Sequence, residues 1–146
     1  MTDAEPLFID TNVLVYANIA ESPFHAWALD ALRKAQRAGR PLWISRQVLR
    51  EYLVILTRPQ IFAQPLSKDR VIQRVRYFES RFYVADDTSA VTDELLRLFQ
   101  DYKFGGKQIH DANIVATMQV CGIRCLLTHN REDFEQFSEC IRLETI

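Results

Sequence analysis

Residues 7–16, LFIDTNVLVY, decide how the rest of the chain is read. Leu7, Phe8 and Ile9 run straight into Asp10, and Thr11 and Asn12 precede a second apolar run. A short apolar run closed by turn-forming residues predicts a buried strand over about 7–10, followed by a turn and a helix start through Tyr16. In open parallel sheets, ligands bind beyond the carboxyl ends of the strands. That makes Asp10 a site candidate. Asp, Thr and Asn are also good helix caps, so from this stretch alone Asp10 reads equally well as a cap. The acids further along the chain separate the two readings.

Moving outward, Ser22-Pro23 predicts a helix start, with Ser at the cap and Pro in the first turn. That helix runs to about Ala38, with Trp27, Leu29, Leu32 and Ala35 partly on one face, and Gly39 ends it. Residues 41–45, PLWIS, read as a second strand. The helix from Arg46 is largely apolar (Val48, Leu49, Tyr52, Leu53, Ile55 and Leu56). It stops at Arg58-Pro59, because the residue before Pro resists the α conformation. Glu51 is the only acid in that helix. Burying a lone charge is expensive, so Glu51 needs a partner or a metal.

Residues 60–66 read as a loop, and Ser67 caps a helix whose outer face carries Lys68, Arg70, Arg74 and Arg76. Residues 82–85 form a third strand closed by Asp86-Asp87. Thr88 or Ser89 then opens a helix to about Tyr102, with Val91, Leu95, Leu98 and Phe99 at core spacing. Gly105-Gly106 is a break. The next helix begins near Gln108, carries Asp111 in its first turn and stops at Gly122. A fourth strand spans 124–128, a short helical turn follows His129-Asn130-Arg131-Glu132-Asp133-Phe134, and 141–143 make a last strand. Strands alternating with helices predict an α/β fold with a mostly parallel central sheet of four to five strands, right-handed crossovers, and helices on both faces.

Bulk properties bound the function. A chain of 146 residues, 48% hydrophobic and 25% charged, suits one soluble domain spanning 1–146. No apolar run approaches the roughly 20 residues that span a bilayer. Asp3 and Glu5 stand where a secretory signal would be basic, so a cytoplasmic location is expected. Cys121, Cys125 and Cys140 are an odd count, which argues against a disulfide framework. Their spacing with His129 matches no familiar zinc pattern, leaving buried free thiols as the expectation. The net charge is −1, but residues 33–81 hold 12 of the 18 Lys and Arg against three acids. A basic segment beside an acidic remainder suits a nucleic-acid binder with an acidic metal site; solvated helix faces are the plainer explanation.

Asp10 at a strand end, Glu51 about a turn and a half into the helix after strand two, Asp111 in a first helical turn and Asp133 after strand four can all meet at one rim of a parallel sheet. Massed carboxylates repel one another and resist ionisation unless a cation intervenes. Hard divalent cations such as Mg2+ or Mn2+ prefer oxygen ligands and keep positions open for water and substrate phosphate. A phosphodiester is the natural substrate for such a rim.

LFIDTNVL, SRQVLREYLVILTRP, IHDANIVATMQVCGI and LLTHNREDF, in that order, resemble the four motifs of the PIN domain, in particular the small VapC-like ribonuclease toxins of type II toxin–antitoxin pairs. The resemblance spans nearly the whole chain. It implies a three-layer PIN-like sandwich, metal-dependent endonuclease action on RNA with 5′ phosphate and 3′ hydroxyl products, a cognate protein antitoxin and a homodimer. Asp10, Glu51 and Asp111 match the three central acids. The resemblance implies Asp10 and Asp111 as direct ligands of Mg2+ (or Mn2+), with Glu51 completing the cluster or holding a water beside the metal. Asp133 is favoured for the fourth position, and Asn130 stands where many relatives place an acid. Thr128 and Asn12 match supporting polar positions. His110 and His129 read as bystanders. Trp43, Tyr52 and Phe62 read as core or dimer surface, and Arg46, Arg50 and Arg58 as phosphate contacts or solvated helix. Two other functions compete. One is a HAD-like metal-dependent phosphatase with Asp10 as nucleophile, which would want an acid where Asn12 stands. The other is a non-catalytic RNA-binding module.

Overall fold

The computed structural model describes residues 4–59 and 66–145. Along the chain lie β1 (Leu7–Ile9), α1 (Thr11–Asn18), α2 (His25–Arg37), β2 (Leu42–Ser45), α3 (Arg46–Leu56), α4 (Lys68–Arg81), β3 (Tyr83–Ala85), α5 (Ser89–Asp101), α6 (Gln108–Cys121), β4 (Cys125–Leu127) and β5 (Arg142–Glu144). Two single turns of 3-10 helix, Arg131–Asp133 and Glu135–Phe137, join β4 to β5. The five strands form one sheet in the order β3-β2-β1-β4-β5, with every neighbouring pair parallel. The sequence left open a mixed sheet of four or five strands; all five are present and all run the same way.

β1 sits at the centre, which is why it reads as an unbroken apolar run. Leu7, Phe8 and Ile9 are buried on both faces of the sheet. From β1 the chain steps outward to β2 and β3, then returns across the sheet to β4 and β5 on the other side. With right-handed crossovers, this change of direction puts α1 to α4 on one face and α5 and α6 on the other. The helix contacts divide in the same way: α1 packs on α2 and α3, α3 on α4, and α5 on α6.

Local chemistry sets the ends of several elements. Ser45 Oγ accepts from the Val48 N–H, and Ser67 Oγ from the Arg70 N–H, as expected of caps. Gly122 closes α6 with φ of 71°, a backbone conformation that L side chains rarely adopt. At α2 the expectation fails. The helix begins at His25, and Ser22 instead accepts from the Phe24 N–H in the preceding turn, which leaves Pro23 outside the helix. The buried face of α2 is Ala28, Ala31 and Ala35, with Trp27, Leu29 and Leu32 only half-buried. Small side chains let the helix axis approach α1 closely.

Phe99 is not core. It is 52% exposed on α5 and meets Phe104 edge-on, while Val91 and Leu98 carry the burial. Phe82 caps α4, so β3 starts one residue later than expected. Of the three thiols only Cys125 is buried; Cys121 is exposed at the end of α6 and Cys140 is intermediate. Tyr52 is core, edge-on to Phe78, and Trp43 is half-buried and stacked on Tyr83. Phe62 and nearly all of the expected loop at 60–66 lie outside the described residues.

Candidate active site

Asp10 follows β1 directly and caps α1. Its backbone N–H donates to the Leu127 carbonyl of β4, which fixes it in the crevice between β1 and β4. This is where the strand order reverses, the place where parallel sheets open to a ligand. Asp10 is buried, and both of its carboxylate oxygens are engaged. Oδ1 accepts from the Thr11 N–H at 2.8 Å. Oδ2 accepts from the Thr128 hydroxyl at 2.8 Å and from the Asn12 amide at 3.1 Å.

Those donors are themselves held. Thr128 Oγ1 accepts from the Asn130 N–H at 3.0 Å, which turns its own proton toward Asp10. Asn12 Oδ1 accepts from the His129 N–H at 3.2 Å. Asn12 and Thr128, both named from the sequence as supporting polar positions, are thus two donors to one Asp10 oxygen. Asn130 contributes through its main chain, with its side chain exposed.

Glu51 lies on α3, whose N-terminus starts at the same rim because the helix follows β2 without a gap. Its Oε1 accepts from Thr11 Oγ1 at 2.7 Å, and its Oε2 from Gln47 Nε2 at 3.0 Å. Gln47 is buried and does more than hold Glu51. Its amide also donates to the His110 carbonyl at 2.7 Å and accepts from Asn113 Nδ2 at 2.8 Å. One side chain thus ties α3 to the first turns of α6, where Asp111 sits. Sequence reasoning missed both Thr11 and Gln47. Gln47 and Glu51 are four apart on a helix, a spacing that brings side chains together, so that contact was readable. The reach from Gln47 to α6 was not.

Burial pushes the Asp10 carboxyl up to about 6, against the pull of Thr128 and Thr11, and the charges of Glu51 and Asp133 add to it. Burial likewise pushes Asp111 up to about 7, helped by the charges of Asp10, Asp133 and Glu51. Thr11 links the first two acids directly, its N–H donating to Asp10 and its hydroxyl to Glu51. Asp133 is the exposed member, at the end of the first 3-10 turn. Among the described residues none of the four forms an ion pair with Lys or Arg.

Also among the described residues, no three acidic, His or Cys side chains stand close enough together to enclose a metal as they are. Like charges with nothing between them hold apart. The donor set fits a hard divalent cation all the same: it is made of carboxylate oxygens, it is partly dehydrated, and it lacks a counter-charge. The cysteines do not join it. Cys125 lies against Arg142 and Cys140 against Tyr102. His110 is exposed, and the His129 ring packs among Tyr16, Phe24 and Trp27.

Residues 7–139 match the PIN domain. The chain belongs to the PIN-domain family. This PIN domain is 29% identical over 136 residues to Ribonuclease VapC48 of Mycobacterium tuberculosis, covering 92% of each chain. Among solved structures it resembles a toxin–antitoxin complex from Klebsiella pneumoniae, with a TM-score of 0.66, 26% identity and 97% of each chain covered. It shares its fold with DNA-bound VapBC from Salmonella typhimurium, with a TM-score of 0.65, 21% identity, and 96% of this chain and 97% of that one covered. The PIN fold expected from the four sequence motifs is the fold observed.

Proposed function

We propose that this PIN domain is a metal-dependent endoribonuclease that acts as the toxin of a toxin–antitoxin pair, with Asp10, Glu51, Asp111 and Asp133 as its acidic site. The observation that supports the reading is the buried Asp10 at the β1/β4 crevice, linked through Thr11 to Glu51, with the Asp10 and Asp111 carboxyls both raised and, among the described residues, no ion pair to either. The ribonuclease and toxin–antitoxin relatives support the substrate class and the partner. Mg2+ or Mn2+ is the cofactor that oxygen ligands favour. A homodimer and a cytoplasmic setting complete the proposal; among the described residues no helix is long and apolar enough to cross a membrane.

Asp10 and Asp111 would be the direct ligands. Thr11, Asn12 and Thr128 hold the Asp10 carboxylate in one orientation, so little motion is needed to receive an ion. Glu51, held by Thr11 and Gln47, would complete the cluster or hold a water beside the metal. Asp133, exposed on a short turn, is free to close the fourth position. A bound divalent ion supplies charge neutralisation at the scissile phosphate and a more acidic water. The products would carry a 5′ phosphate and a 3′ hydroxyl. The HAD-like alternative fits poorly, since it wants an acid where Asn12 stands, and Asn12 instead donates its amide to Asp10.

Labelled RNA with Mn2+, with and without EDTA, tests the proposal on the wild type and on Asp10→Asn. Cleavage should need the metal and should disappear in the variant. Cleavage that survives both chelation and the substitution would reject the metal mechanism. Tight RNA binding without cleavage would favour the non-catalytic module.

A further inference from the structure

Beside the acids lies a cluster of four rings that the acidic chemistry does not use. β2 runs parallel to β1, so the return helix α2 must start at the carboxyl edge of the sheet, and Phe24 caps it there. The Phe24 ring lies 4.1 Å from the His129 ring and 5.0 Å from that of Tyr16. Trp27 backs His129 at 5.2 Å, and Tyr16 meets it edge-on at 5.4 Å. His25 Nδ1 is 2.9 Å from the Tyr16 carbonyl, which pins the start of α2 to α1 and stiffens the cluster.

The cluster joins the site directly. The His129 N–H holds Asn12, and Asn12 holds Asp10. Two hydrogen bonds therefore separate the ring-bearing residue from the central carboxylate. Phe24 keeps 37% of its surface open; Phe99 is more open, at 52%, but it lies on α5 against Phe104, whereas Phe24 stacks on the residue that holds Asn12. The rim's negative charge repels RNA phosphates, and the basic side chains nearest in sequence to Glu51 are engaged elsewhere: Arg46 with Glu79 and Asp86, Arg50 with Asp87. An uncharged grip close to the acids meets that need. Unpaired RNA bases are held by stacking on aromatic and His side chains, whatever the base.

We propose that Phe24, seated on His129, Tyr16 and Trp27, is a stacking platform for one unpaired base of the RNA next to the scissile phosphate. This rests on the ribonuclease reading and deepens it. It makes Phe24 a substrate-binding residue, and it gives His129, read from sequence as a bystander, a part in building the platform.

The test uses the full chain carrying Asp10→Asn, so that RNA is bound and not cut, and a fluorescein-labelled, unstructured oligoribonucleotide of mixed sequence read by anisotropy. Adding Phe24→Ala should weaken binding roughly 5- to 150-fold, the range expected for losing one stacked base. Phe24→Trp should restore the parent affinity, and Phe24→Leu, which keeps apolar volume without a ring, should not. Replacing a single base of the oligoribonucleotide with an abasic nucleotide should, at one position, abolish the difference in affinity between the Asp10→Asn parent and its Phe24→Ala derivative. Thermal melting monitors folding, and Phe24→Leu decides the matter if Phe24→Ala is poorly folded. Equal affinity for the parent and Phe24→Ala, or Phe24→Leu binding as tightly as Phe24→Trp, would overturn the platform. If the wild type with Mn2+ leaves the same oligoribonucleotide intact, the ribonuclease reading falls, and the affinity comparison still decides the platform.

Discussion

Glu51 has a donor on each carboxylate oxygen, Thr11 on one and Gln47 on the other. Gln47 is the more consequential of the two, because it also reaches the His110 carbonyl and Asn113 on α6. Gln47→Leu would remove the bonds to Glu51, the His110 carbonyl and Asn113 together, at a cost of about 1–3 kcal/mol. The expected result is a lower melting temperature together with weaker Mn2+ binding, since Glu51 and Asp111 lose their common tether. Unchanged Mn2+ affinity in a folded variant would confine Gln47 to a packing role. The raised carboxyls give a second expectation. A carboxyl that binds its proton more tightly when folded than when unfolded disfavours folding once both states are ionised. For Asp111 that penalty is complete above about pH 7 and fades as the pH falls toward 4. Metal-free protein should therefore gain melting temperature from Asp111→Asn at pH 8, with the gain gone near pH 4. A fall in melting temperature at pH 8 would mean that Asp111 holds the fold together. Asp10 and Asp111 were legible as candidates because one follows a strand end and the other sits in a first helical turn. Thr11 and Gln47 were not, because their roles lie in contacts between distant segments.

At the scale of elements, the positions of the strands followed from apolar runs, and ends followed where a side chain could cap; the strand order did not. α2 departed because Ser22 satisfied Phe24 in a turn before the helix began, a local competition between two uses of one hydroxyl. Phe99 departed because α5 packs on α6 through a narrow stripe, leaving the helical positions beside Leu98 in water. The edge of the sheet carries a feature that the sequence did not announce. Arg40 donates from both Nη atoms to Glu144 of β5, at 2.7 and 2.8 Å, and from Nε to the Glu5 carbonyl at 2.8 Å. One guanidinium thus clamps the last strand to the entry of β1. The contact holds the Glu144 carboxyl below its ordinary range, chiefly through the Arg40 hydrogen bond. Arg40→Met should cost about 1–2 kcal/mol, between the values for exposed and buried pairs. A depressed carboxyl contributes stability that is present above its unfolded pKa and is lost as pH falls. The difference between wild type and variant should therefore shrink below pH 4.5. A deficit that stays constant from pH 7 to pH 3 would show that packing of the Arg stem, not charge, holds β5.

For the whole molecule, the sheet order matters most. A central β1 with the chain turning back at β4 creates one crevice, and Asp10 stands in it. The basic segment at 33–81 looked like a nucleic-acid face, but much of its charge is spent on structure. Arg40 clamps β5, Arg46 and Arg50 hold the acids around the end of β3, and Arg74 donates to Asn18. A count of charges could not show this, because pairing depends on which helices the fold sets side by side. The PIN architecture therefore leaves the acidic rim and its neighbouring rings as the chemically distinctive surface. The most direct measurement of that account is isothermal titration of Mn2+ into the wild type, Asp10→Asn and Asp111→Asn. The account predicts saturable binding to the wild type and at least roughly tenfold weaker binding to each variant, the loss expected when one charged ligand is neutralised. Equal Mn2+ affinity in all three proteins would contradict it.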